Sequence, residues 1–274
     1  MTIRLIALDI DGTTLRHDGS LSPRNREALE RAAALGIHIV LATGRCHDAL
    51  PGVLTSLPGI RYALTSNGAQ TRDLVTGETL AGSYLHPESA DAAAGLLDRY
   101  PDLMVEIFTG GRAYMDKAQY EGVVSGAIGY RSMAYVRDTR NPVENLLAHM
   151  RDFREAIENV NIFFPTASDK LWLKPHLDAL PRVTVTSSFD NNWEIGGADT
   201  SKGAALERLA VTLGVSRAEI LACGDSPNDE AMLRAAGIPV AVGNAKASVI
   251  ELAAFVAPPS EEDGVAAALE KFVI

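Results

Sequence analysis

The chain has only two cysteines in 274 residues, Cys46 and Cys223, too few for a disulfide framework. Both lie beside expected strands, so buried, reduced thiols are the expectation for each. Its six histidines show no metal-ligand spacing such as His-Glu-x-x-His. Basic residues are outnumbered 25 to 35, for a net charge of −10, which argues against a broad nucleic-acid or anionic-membrane surface. A local anion site is still compatible with that balance, because one cluster of cations or a metal can overcome the global field. No apolar stretch approaches the ~20 residues of a membrane span. The first short apolar run ends at Asp9, which does not fit a signal peptide. No internal repeat or low-complexity segment is present. These absences lead to the expectation of a soluble, cytoplasmic protein with neither nucleic acid nor membrane as partner, built as one large domain or two smaller ones.

What is present begins with a rhythm. Leu5 to Leu8 is an apolar run of the kind buried on both faces of a parallel sheet. Ser22 and Pro23 start a helix that Gly36 ends, and Ile37 to Ala42 is a second such strand. A helix from about Cys46 to Ser56 and a strand from Arg61 to Thr65 continue the alternation. Strand-helix-strand-helix-strand predicts parallel pairing with right-handed crossovers. The rhythm then changes. A hairpin is expected around Thr76-Gly77, an alanine-rich helix from Pro87 to Tyr100, and a hairpin across Gly110-Gly111. Asn161 to Phe164, Lys170 to Leu173 and Arg182 to Thr186 are the clearest strand candidates further on. The first pattern resumes with an amphipathic helix from Lys202 to Gly214, a capping box at Ser216-Glu219 and a strand from Ile220 to Gly224. The expected fold is α/β: a Rossmann-like parallel-sheet domain from 1–81 and 188–274, with an α+β domain from 82–187 inserted in it.

The first strand ends on two carboxylates, Asp9 and Asp11, which point to one side in extended chain. Two like charges so close repel unless a cation lies between them or one holds a proton. A plain acidic loop is the alternative reading of that pair alone. Four features, however, fall at strand carboxyl ends or at the helix starts behind them: Asp9/Asp11, Thr43, Lys202, and Asp225/Asn228/Asp229. In open α/β sheets those ends form the binding crevice. Hard carboxylate oxygens suit Mg²⁺, and Thr, Lys and helix-terminal N–H groups suit phosphate.

Asp9-Ile10-Asp11-Gly12-Thr13, Ala42-Thr43-Gly44-Arg45, Lys202-Gly203 and Gly224-Asp225-Ser226-Pro227-Asn228-Asp229 resemble, in order and spacing, the four motifs of the haloacid dehalogenase-like hydrolases. Thr43-Gly44-Arg45, Ser66-Asn67-Gly68-Ala69 and the position of the insert resemble the Cof-type subfamily, whose insert is a cap domain. The resemblance implies a phosphatase in which Asp9 attacks phosphorus to form an aspartyl-phosphate. It makes Asp11 the acid that protonates the leaving alcohol and the base that activates water. It implies Mg²⁺ held by Asp9, the Asp11 carbonyl and Asp225, with Thr43, Gly44 and Lys202 on the phosphoryl group. Asn228 is a substrate-binding candidate that reaches the phosphate or helps fix Asp225, Arg45 either touches substrate or pairs with an acid elsewhere, and Asp229 gives support through water or Lys202. Cof-type chains commonly carry glycine three residues before the lysine, where this chain has Asp199, an acid that either orients Lys202 or lies outside the site.

The implied reaction is Mg²⁺-dependent hydrolysis of a small phosphorylated metabolite, a sugar or cofactor phosphate, by a monomer or homodimer. The alternatives are a phosphomutase of the same superfamily and a phosphoacceptor switch resembling a receiver domain. In the expected cap, Glu106, Arg112, Tyr114, Lys170 and Lys174 are polar candidates for leaving-group contacts, with surface placement as the alternative for each.

Overall fold

Apolar strands without alternation must be covered on both faces. The computed structural model, which describes residues 2–274, covers them with helices on each side. The chain lays down β1 (Leu5–Leu8), β2 (His38–Ala42), β3 (Ile60–Thr65), β4 (Gln70–Asp73) and β5 (Thr79–Gly82). It then forms β6 (Met104–Thr109), β7 (Arg112–Asp116), β8 (Arg140–Val143), β9 (Ile157–Phe163), β10 (Val183–Thr186) and β11 (Asn192–Gly197). Three last strands follow, β12 (Ile220–Gly224), β13 (Ile238–Ala241) and β14 (Phe255–Val256). Two compact units result.

The first unit comprises the residues up to Arg45, Leu50–Gly82 and Ser201–Ile274. Its sheet has the order β14-β13-β12-β1-β2-β3-β4-β5. Pairing is parallel from β14 to β3, and the β4–β5 hairpin adds two antiparallel strands at one edge. Alternate side chains serve opposite faces. Ile6 and Leu8 pack with Leu29 of helix Pro23–Ala34 and Leu269 of helix Gly264–Phe272. Leu5 and Ala7 pack with Leu206 and Leu209 of helix Lys202–Leu213 and Leu233 of helix Glu230–Ala235. Order reverses beside β1, where the chain goes to β2 on one side and β12 on the other, so the loop after β1 lies at a topological switch point.

The second unit holds Cys46–Ala49 and Ser83–Thr200. Its sheet runs β10-β11-β9-β6-β7-β8, antiparallel except for β7 with β8. The return to the first unit comes at Ser201 rather than at 188, because β11 pairs with β9 and β10. Cys46–Ala49 belongs here through the packing of Cys46 and Ala49 on Phe108 and Ala113, and through the Asp48 N–H donating to Gly111 O at 2.9 Å.

Two expected elements differ. Lys170–Leu173 is not a strand: Leu171–Leu173 is a 3₁₀ turn running into helix Lys174–Asp178, with Pro175 in its first turn and only Leu173 buried. The helix expected from Cys46 to Ser56 breaks into a 3₁₀ turn, His47–Ala49, and a short helix, Gly52–Thr55, because Pro51 interrupts the backbone ladder. Both thiols are free and buried, and burial pushes Cys46 up to about 11 and Cys223 up to about 12.

Candidate functional site

The carboxyl ends of β1, β2 and β12 and the start of helix Lys202–Leu213 bring four of the sequence motifs to one place in the first unit. Lys202 sits at the first position of its helix, capped by Ser201, whose hydroxyl accepts the Ala204 N–H at 3.0 Å. A cation there opposes the helix dipole and needs acidic partners. It has two. The wholly buried Lys202 Nζ donates to Asp9 Oδ1 at 2.6 Å and to Asp229 Oδ1 at 2.7 Å. Gly203 lets this turn lie close to the neighbouring helix, since a Cβ there would stand 2.3 Å from the Ala231 carbonyl oxygen.

Asp229 is a structural hub. Its other oxygen accepts the N–H groups of Asp225 and Ser226, each at 3.0 Å, and so shapes the loop after β12. Gly224 leaves room for it, as a Cβ would come 2.5 Å from Asp229 Cβ. Asp225 accepts hydrogen bonds from Thr13 at 2.8 Å and from Ser226 at 3.0 Å. Gly12 adopts φ +78°, and a Cβ there would lie 3.0 Å from an Asp225 oxygen.

Asp9, Asp225 and Asp229 each present a carboxylate oxygen, and all three oxygens lie within 4.8 Å of one another. One ammonium faces three carboxylates. Burial, then the charge of Asp229, holds the Asp9 carboxyl well above its ordinary range despite Lys202. Burial and Asp229 raise Asp225 in the same way. Lys202, although buried, is pushed up by Asp229 and Asp9. A buried excess of hard oxygen donors of this kind fits a divalent cation, with Asp9 and Asp225 as its carboxylate donors. Asp229 is committed to Lys202 and to backbone N–H groups instead.

Asp11 points elsewhere. Both its oxygens are held by Arg45, at 2.8 Å from Nε and 2.6 Å from a terminal nitrogen, in a bidentate pair. Arg45, whose role was open in the sequence, thus joins the site through Asp11. Thr43 is buried at the end of β2, and its hydroxyl accepts the Arg45 N–H at 3.1 Å. Gly44 is half-buried between them. Asn228 donates to Asn67 Oδ1 at 3.0 Å, and its own Oδ1 is buried without a protein partner. Asp199 is exposed in the second unit and takes no part in the bonds to Lys202.

Sequence reading missed three contributors. Thr13 positions Asp225. Asn67, with Ser66, adopts positive φ (58° and 51°), a strained conformation for residues other than glycine, and anchors Asn228. Asn244 donates to Gly12 O at 2.8 Å and holds the loop after β1. Thr13 and the Ser66-Asn67-Gly68 turn lay within quoted motifs, whereas Asn244 carried no local signal. Most of the polar candidates of the second unit have structural partners. Glu106 pairs with Arg131 and Arg140, Arg112 with Asp48, and Lys174 with Asp178. Tyr114 stacks on His149, and Lys170 lies over the Trp193 ring while donating to Ser187.

No helix among the described residues is long and apolar enough to cross a membrane. Residues 6–269 match the family model of the haloacid dehalogenase-like hydrolases. The phosphatase YwpJ of Bacillus subtilis is 30% identical over 96% of this chain and 98% of its own. The pyridoxal phosphate phosphatase YbhA of Escherichia coli is 29% identical over 97% of each chain. The structure of a haloacid dehalogenase-like hydrolase from B. subtilis superposes with a TM-score of 0.82 at 26% identity, covering 99% of this chain and all of the other. The chain therefore belongs to the haloacid dehalogenase-like hydrolases.

Proposed function

We propose that this hydrolase removes phosphate from small phosphomonoesters through an aspartyl-phosphate on Asp9, with Mg²⁺ bound. The observation that carries the reading is the single Lys202 ammonium bridging Asp9 and Asp229 beside Asp225. Lys202 holds Oδ1 of Asp9, which leaves Oδ2 to attack phosphorus. The bond from phosphorus to the ester oxygen breaks as the new bond forms, and Asp11 gives its proton to the departing alkoxide. Asp11 then takes a proton from water. The water oxygen attacks phosphorus, the bond from phosphorus to the Asp9 carboxylate oxygen breaks, and inorganic phosphate leaves with the Asp9 carboxylate restored. Thr43, the Gly44 backbone and Asn228 bind phosphoryl oxygens, while Lys202 offsets charge on the phosphoryl group and Asp9. Arg45 keeps Asp11 oriented between turnovers. Asp9, Asp225 and the Asp11 carbonyl would hold Mg²⁺, which when bound neutralises repulsion between the carboxylate and the phosphoryl oxygens.

The inserted unit acts as the cap that selects the leaving group, and the relatives' phosphatase names support small phosphorylated metabolites as substrates. Hydrolysis of p-nitrophenyl phosphate with Mg²⁺, with EDTA, and with Asp9→Asn as the blank tests the reading. Metal-dependent release absent from the variant is the expected result. Full activity in Asp9→Asn would overturn it.

A further inference from the structure

The loop after β13, residues 242–246, bonds to both stretches of the first unit that carry cation donors. Its Lys246 N–H donates to the Asp225 carbonyl at 2.9 Å. Its Asn244 Nδ2 donates to the carbonyl of Gly12, the residue after Asp11, at 2.8 Å. Asparagine in a turn ordinarily bonds its own backbone two residues on. Asn244 reaches 232 residues back along the chain instead. Its Oδ1 accepts the Ser260 N–H at 2.8 Å, at the start of the 3₁₀ turn Ser260–Glu262. A backbone N–H can only donate, so this bond fixes the amide with its nitrogen toward Gly12. Gly243 lets the loop lie against the same segment, since a Cβ there would come 2.9 Å from Pro259 Cδ. Asn244 itself is exposed, so burial does not demand these bonds.

The bond acts on a part of the chain whose orientation matters. Gly12 adopts φ +78°, and a glycine does not set its own conformation as a residue with a side chain would. Contacts around it must do so. On one side the Asp225 carboxylate lies 3.0 Å from where a Gly12 Cβ would stand, and it accepts the Thr13 hydroxyl at 2.8 Å. Asn244 supplies a tie from the loop after β13. Rotation at Gly12 would change the spacing between the Asp11 carbonyl and the Asp225 carboxylate.

We propose that Asn244 is a positioning residue for the cation, holding the Asp11 carbonyl and Asp225 at the spacing a small divalent ion requires. This inference rests on the Mg²⁺-dependent reading of the site. Mg²⁺ demands near-octahedral oxygens at about 2.0–2.1 Å, whereas Ca²⁺ accepts looser shells at about 2.3–2.6 Å. Loss of the tie therefore weakens Mg²⁺ more than Ca²⁺.

The test is calorimetric titration of Mg²⁺ and of Ca²⁺ into protein treated with EDTA and desalted, for the wild type, Asn244→Ala and Glu261→Ala. Glu261 ties the same loop further along, accepting the His17 N–H at 2.7 Å, and serves as the control. Asn244→Ala should raise the Mg²⁺ Kd about tenfold and the Ca²⁺ Kd by less. At saturating Mg²⁺ its kcat and KM for p-nitrophenyl phosphate should return to near the wild-type values. Glu261→Ala should leave both Kd values in place. An unchanged Mg²⁺ Kd in Asn244→Ala overturns the inference, whatever its Tm. So does an equal rise in Glu261→Ala, which would make general loosening of the loop the cause. Asn244→Ser, too short to bridge Gly12 and Ser260, supplies the same comparison if the alanine variant is not recovered folded. A wild type that binds no Mg²⁺ would overturn the metal reading itself, whereas equal binding by wild type and variant overturns only the role of Asn244.

Discussion

Both units bury a charged cluster, and the two differ in what they leave unbalanced. In the first unit three carboxylates share one ammonium, and Asp9 and Asp225 are held above their usual range. In the second, Glu106 lies between Arg131 and Arg140, each donating to a different oxygen at 2.6 Å. Its extra positive charge rests on aromatic faces, with Arg131 3.7 Å from the Phe163 ring centre and Arg140 4.5 Å from that of Tyr135. Burial alone would raise Glu106, but the two guanidiniums outweigh it and bring it down to about 2. One cluster is under-neutralised and open to a cation and to chemistry. The other is neutralised from within, and its work is to tie β6, the start of β8 and the segment before helix Met133–Thr139 together.

The largest expected effect separates the two at once. Asp9→Asn should lower turnover by on the order of 10⁴-fold or more, as loss of a covalent nucleophile does. Its Tm should hold within a few degrees, because a carboxylate already disfavoured by burial is the group removed. A steep loss of Tm with it would make Asp9 a structural residue and erase the contrast.

Glu106→Gln should do the reverse. It leaves two buried guanidiniums without their counter-charge, at a cost of about 3–5 kcal/mol, while activity per folded molecule is kept. The pH dependence follows from the sign of the shift. A carboxyl lowered to about 2 in the fold from 4.5 contributes stability that is fully present above the unfolded value. That contribution, roughly 3 kcal/mol, is lost as pH falls from about 4.5 through about 2. Denaturation curves across that window should therefore converge between wild type and Glu106→Gln at the acid end. A constant gap at every pH would show that the triad's charge contributes little.

Cation binding sharpens the comparison from the other side. At a hundredfold excess over Kd, Mg²⁺ should stabilise the fold by about 2.7 kcal/mol. For a chain of this size that is a rise in Tm of several degrees. Asp225→Asn should remove most of the rise, and Glu106→Gln should leave it in place. An equal rise in all three proteins would place the cation away from Asp225.

The two clusters also differ in how legible they were. Asp9, Thr43, Lys202 and Asp225 each stand where an apolar strand ends or a helix begins, so strand-helix alternation alone predicts their convergence. The bidentate pair between Asp11 and Arg45 joins residues 34 apart, and only the turns after β1 and β2 decide that they meet. Nothing local linked Glu106 to Arg131 and Arg140, because the segments between β7 and β9 carry short helices with little periodicity. Lys170–Leu173 looked like a strand by composition, but Pro175 and the burial of Leu173 alone favour a turn. β11 was assigned to the wrong unit since its membership depends on pairing with β9, more than 25 residues earlier, and not on its own pattern. Long-range pairing is the information that a local reading lacks.

The smallest expected effect tests Arg45. Its pair with Asp11 is partly exposed, with side-chain exposures of 17% and 44%, so solvent screens it and its contribution to stability is about 1 kcal/mol or less. Its value lies in orientation. Asp11 must present an oxygen to the leaving alkoxide and then to water, and a planar two-point contact limits its rotation as a single ammonium would not. Arg45→Ala should therefore lower kcat about tenfold with Tm little changed. Arg45→Lys keeps the charge but loses the fork, and should recover only part of the rate. Full recovery by lysine would mean that Arg45 acts as a point charge toward the phosphoryl group, and the orienting role would fall.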